Sequence, residues 1–102
     1  MGLDAWMYST DARAKLSNIK KDKNFRSYEL AYWRKNHKLN DFVQRLFVEK
    51  GGNYDDFNCS ITFLTEKDLR EIAKENPEDS ELVDEAIAEL KNGMAVFYTC
   101  WW

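Results

Sequence analysis

The sequence predicts an α+β fold: a small, at least partly antiparallel three-stranded sheet packed with about three helices, in the order β-loop-α-β-α-α-β. Three features carry this reading. Apolar residues recur at Leu39, Phe42, Val43, Leu46 and Phe47, the spacing of one helix face. Residues 58 to 64, NCSITFL, instead alternate with period two, as a strand does. The run MAVFYTCWW, 94 to 102, is the strongest strand signal of all. With 102 residues there is one domain, 1–102, able to bury about two thirds of the surface its unfolded chain exposes.

The elements follow in order. Residues 2 to 9, GLDAWMYS, read as a first strand with Leu3, Ala5 and Met7 on one face and Asp4, Trp6 and Tyr8 on the other. Residues 10 to 27 have only Leu16, Ile19 and Phe25 as large apolar anchors and suit a long loop or a short helix. Asn36 can cap the first clear helix by accepting a hydrogen bond from a free backbone N–H, and Gly51-Gly52 ends it. Thr65-Glu66-Lys67-Asp68 resembles a capping box with Asp in the Glu position, opening a helix whose inner face is Leu69, Ile72 and Ala73. Asn76-Pro77 stops that helix. Ser80 is read as the cap of the last helix, which turns Leu82, Val83, Ala86, Ile87 and Leu90 inward and ends at Asn92-Gly93.

Several function classes are disfavoured. An acidic start, Met1-Gly2-Leu3-Asp4, is unlike a signal peptide, and no apolar run approaches the ~18 residues of a membrane span. Cys59 and Cys100 are too few for a disulfide framework and, with the single His37, too few for a closed Cys/His zinc site. They read as two half-buried thiols in strands. Phosphate-binding glycine loops, zinc-protease motifs and nucleophile elbows are missing. Asp55-Asp56 reads as a hydrated turn rather than a cation loop, and His37 as a polar residue of a first helical turn rather than a catalytic base. No catalytic residue, metal ligand or cofactor is assigned.

Charge is unevenly spread. Residues 13 to 38 hold nine Lys or Arg against two acidic residues, whereas residues 66 to 90 hold ten acidic residues against three basic ones. A basic stretch interleaved with Phe25, Tyr28, Tyr32 and Trp33 suits phosphate contacts and base stacking. The acidic helices suit a basic protein groove. A solvated surface is the plain alternative for both, and core packing the plain alternative for Trp33. Trp101 and Trp102 point to opposite faces of the last strand, so at most one enters the core and the other is an anchor for a partner or a second copy.

The motifs Met1-Gly2-Leu3-Asp4, Tyr32-Trp33-Arg34-Lys35, Phe57-Asn58-Cys59, Thr65 to Leu69 and Phe97-Tyr98-Thr99-Cys100-Trp101-Trp102 stand in the order of a family of small bacteriophage proteins that this chain resembles. It departs from that pattern at Asn40, where some relatives have His, and lacks their Phe- and Gly-rich turn before the last helix. The resemblance implies a phage accessory protein in the cytoplasm of an infected bacterial cell. The expected function is non-enzymatic binding of a host protein, inhibiting a defence or nucleic-acid-processing system. Binding of a nucleotide or single-stranded nucleic acid at the aromatic-basic segment is the alternative. The partner-binding residues expected are Trp33, Arg34, Lys35, Glu71, Glu75, Glu85, Trp101 and Trp102.

Overall fold

The computed structural model describes residues 2–11 and 27–102. Among them are four strands, β1 (Asp4–Asp11), β2 (Ser27–Arg34), β3 (Ile61–Leu64) and β4 (Met94–Trp101). Three α-helices accompany them, α1 (His37–Glu49), α2 (Glu66–Glu75) and α3 (Ser80–Lys91). The sheet is four-stranded, in the order β2-β1-β4-β3, and every pairing is antiparallel. The α+β class therefore stands, while the three-stranded sheet is corrected by β2. That strand is an edge with apolar residues on both sides, and a bulge opposite Met7 and Tyr8 breaks its alternation. Residues 10 and 11 extend β1, and the loop or short helix expected next falls on residues 12–26, outside the described ones.

One face of the sheet carries the core. Leu3, just before β1, and Ala5 and Met7 within it alternate inward, with Trp33 from β2, Leu64 from β3, and Val96, Tyr98 and Cys100 from β4. Against them lie Leu39, Val43 and Leu46 of α1, Leu69 and Ile72 of α2, and Val83, Ala86 and Ile87 of α3. Phe57, from the connection between α1 and β3, completes this cluster with its ring parallel to that of Tyr98, 6.4 Å away. Each fully buried Leu, Ile, Val or Phe side chain contributes about 1.5–3 kcal/mol.

Local chemistry sets the helix ends. Leu39 N–H donates to Asn36 Oδ1, as a cap should. Gly51 stands at φ +98°, which an L side chain rarely adopts, and a Cβ on Gly52 would come within 2.5 Å of the Phe47 ring. Asp68 N–H donates to Thr65 Oγ1 at 3.1 Å while Thr65 N–H donates to Asp68 Oδ2 at 3.0 Å, a complete capping box. Asn76 ends α2, its buried amide donating to the carbonyl of Ile72. Ser80 makes no capping bond, because a 3₁₀ turn over Pro77–Asp79 already leads the chain into α3. Cys59 lies before β3 rather than in it, in a turn at φ +65°, with its N–H still donating to the carbonyl of Cys100.

Candidate functional site: the open face of the sheet

The residues of β1 that alternate away from the core, Asp4, Trp6 and Tyr8, define the second face of the sheet. Strand register sets their neighbours. Asp4 stands between Arg34 and Trp101, Trp6 between Tyr32 and Thr99, and Tyr8 between Glu29 and Phe97. On β3, Ile61 stands beside Thr99 and Phe63 beside Phe97. Six aromatic side chains thus share one face, on strands about 4.8 Å apart.

The rings lie against one another. Trp6 and Tyr32 are 5.5 Å apart between centroids, Tyr8 and Phe97 5.4 Å, and Phe63 meets Phe97 edge-on at 5.9 Å. Phe97 is buried among them, but Tyr32 is 49% exposed and Trp101 57%. The Tyr32 hydroxyl donates to Asp4 Oδ1 at 2.5 Å, which fixes the ring over the end of β1. That bond raises the Tyr32 phenol above its ordinary pKa, because losing the proton would set two anions side by side. Tyr8 is raised too, by partial burial and then by the nearby Glu29 carboxylate. Among the described residues, the charges of this face are Asp4, Glu29 and Arg34, two carboxylates against one guanidinium.

The structure brings some of the predicted residues together and separates others. Arg34 and Trp101 flank Asp4 on the open face. Lys35, at φ +59°, turns the chain from β2 toward α1, its N–H donating to the carbonyl of Leu3 and its side chain exposed. Trp33, expected as a contact with core packing as the plain alternative, packs 6.1 Å from Tyr98 in the core, and its indole N–H donates to Asp79. Burial and then the neighbouring Glu78 raise the Asp79 carboxyl, with the Trp33 bond opposing them.

Glu75 and Glu85 are exposed and Glu71 half-buried on α2 and α3, the layer behind the sheet. They do not share a surface with Trp101. Trp102 is also exposed, so neither terminal tryptophan is in the core. Its N–H donates to Asn58 Oδ1, its carbonyl accepts from Asn58 Nδ2, and its ring leans on Phe57 at 6.1 Å. Trp6 and Phe63 were missing from the predicted contacts. The signal for Trp6 was the outward set of β1 and that for Phe63 the alternation of residues 58 to 64, and the two become one face only through the register with β4 and, for Trp6, beside Tyr32 of the unforeseen β2.

Among the described residues no helix is long and apolar enough to cross a membrane, and no group of three His, Cys, Asp or Glu could hold a metal ion. Asp55 and Asp56 form an exposed 3₁₀ turn, with Asn53 Oδ1 accepting from Asp55 N–H. Compared with models of protein families, with curated proteins and with solved structures, the chain matches none.

Proposed function

We propose that this chain is a non-enzymatic binding protein that docks a protein partner on the open face of its sheet. The observation that carries the reading is the pair Tyr32 and Trp101, two large aromatic side chains about half exposed on a rigid sheet beside Arg34. Trp, Tyr and Arg are the residues in which binding energy concentrates at protein interfaces. Strand pairing holds the backbone at both positions, and the Trp6 ring and the Asp4 carboxylate hold the Tyr32 ring, so little conformational entropy is lost there on docking. Charge separates this reading from single-stranded nucleic acid. Aromatic sheet faces can stack bases, but phosphate contacts need a surplus of cations. Among the described residues of this face, Asp4 and Glu29 outnumber Arg34.

The phage resemblance extends this proposal to its biological setting. The partner is a protein of the infected bacterial cell, and the role is inhibition of a defence or nucleic-acid-processing system. The test is capture from bacterial lysate with three baits: the unaltered protein, Trp101→Ser with Tyr32→Ser, and Glu75→Lys with Glu85→Lys. A protein retained by the first and third baits and lost from the second supports the sheet face. Retention by the first and second and loss from the third would move the interface to the acidic helices.

A further inference from the structure

The side chains of the open face stand in rows across the strands. The first row holds Arg34 and Trp101, the second begins with Tyr32 and Trp6, and the third holds Glu29 and Phe97. Arg34 and Glu29 are both exposed, and neither has an ion-pair partner among the described residues. They lie five residues apart on β2, about 15 Å along a strand, too far to pair within one molecule. Two opposite charges at fixed places on one surface can instead answer each other between two copies of it, as an isologous interface requires.

Charge selects the arrangement. Stacked sheet faces keep their strands roughly aligned and lie about 10 Å apart, a gap that an Arg and a Glu side chain reaching from opposite sides can close. A two-fold axis along the strands sets β2 over β3 of the second copy, whose four residues carry no charge, and leaves Arg34 without a carboxylate. A two-fold axis across the strands, above the second row, sets β2 over β2 in the opposite direction. The first row then faces the third. Arg34 of each copy meets Glu29 of the other, Trp101 of each lies on Phe97 of the other, and Asp4 keeps the Tyr32 hydroxyl as its donor.

The area sets the strength. Three strands of eight residues and one of four, at about 3.4 Å per residue and about 4.8 Å between strands, present at most about 450 Å² per copy and about 900 Å² in a pair. Such an interface lies just below the ~1,000 Å² of stable complexes, among those that form and part reversibly.

We infer that a second copy of this chain is a partner of the open face: two molecules pack face to face about the axis across their strands, in a reversible dimer closed by two Arg34–Glu29 pairs. The inference rests on the reading of this face as a binding surface and adds its regulation. A host protein that docks there has to displace the second copy.

Sedimentation equilibrium of the purified protein up to about 500 µM tests it, and should show a monomer–dimer equilibrium with a Kd on the order of 100 µM. Arg34→Glu and Glu29→Arg should each weaken the dimer at least about tenfold, because each sets like charges together at two places. The double variant reverses both pairs and should return to within about threefold of the parent, a rescue that loss of fold would not give. Trp101→Ser with Tyr32→Ser should sediment as a monomer, with unchanged circular dichroism. A monomer at every concentration, a double variant as weak as either single one, or a dimer that survives the paired serine replacements would overturn the inference. A monomeric parent whose lysate partner is still lost from the serine variant would remove the dimer alone and leave the host-binding reading standing.

Discussion

At the scale of single residues, the two cysteines show how burial alone separates chemically equal groups. Cys100 is 1% exposed on the core face of β4, its Sγ 3.7 Å from the carbonyl oxygen of Phe57. Burial pushes its thiol up to about 12, against the hydrogen bond from the Cys59 backbone N–H, which favours the thiolate. Cys59 is exposed in its turn, and both thiols are free. The thiolate is the reactive form, so at pH 8 a thiol of pKa about 12 is ionised to only about one part in ten thousand. Ellman's reagent should therefore modify Cys59 rapidly in the folded protein and Cys100 only when it unfolds. Equal rates for the two thiols in native buffer would show that β4 is not packed as described. The sequence placed both cysteines in strands and half-buried. It could not separate them, because the turn at Cys59 is held by partners far along the chain, the Cys100 carbonyl for Cys59 and the Trp102 backbone for Asn58.

At the scale of elements, the helices were legible and one strand was not. The faces of α1, α2 and α3 were readable because each buries a stripe with helical period, and the ends of α1 and α2 because Asn36, Thr65 and Asp68 act on backbone groups within three residues. β2 was missed because only Trp33 of its eight residues is buried and its bulge shifts the alternation. An edge strand is specified by its partner more than by its own pattern. With β2 unseen, the open face could not be assembled. Arg34 and Trp101 were named separately, without the register that sets Asp4 between them.

The start of α2 yields a test at this scale. Burial alone would push the Asp68 carboxyl up, but the backbone N–H of Thr65 and the Lys50 ammonium, 2.9 Å away, outweigh it and hold the group below the usual carboxylate range. A lowered native pKa means that the charged form stabilises the fold above the unfolded value near 4, and that this contribution is lost as pH falls through the native value. Asp68→Asn keeps an acceptor for the Thr65 N–H but removes the charge. The variant should be less stable than the parent at pH 7, with the difference closing below about pH 4. Urea denaturation across that range measures it, and a difference that stays constant with pH would contradict the assignment.

At the scale of the whole molecule, the sheet divides the protein into two surfaces of different character. Behind it, the helices carry exposed carboxylates such as Glu75 and Glu85. Among the described residues the ion pairs are Lys50 with Asp68 and Arg70 with Glu66, so most of this acidic charge faces water. In front, the exposed rings of Tyr32 and Trp101 sit beside the Arg34 guanidinium. A solvated acidic surface keeps a small domain apart from its neighbours. Half-exposed Trp and Tyr on a rigid scaffold do the reverse, since they gain from being covered.

The central claim is that binding energy resides on the sheet face. Its most direct measurement is the affinity of Trp101→Ala for the captured partner, by calorimetry at two salt concentrations, beside Glu85→Lys. The account predicts that Trp101→Ala loses at least about 2 kcal/mol, roughly thirtyfold in Kd, at both salts with an unchanged urea midpoint, while Glu85→Lys binds like the parent. Full affinity in Trp101→Ala together with a strong, salt-dependent loss in Glu85→Lys would contradict it and assign the partner to the acidic helices.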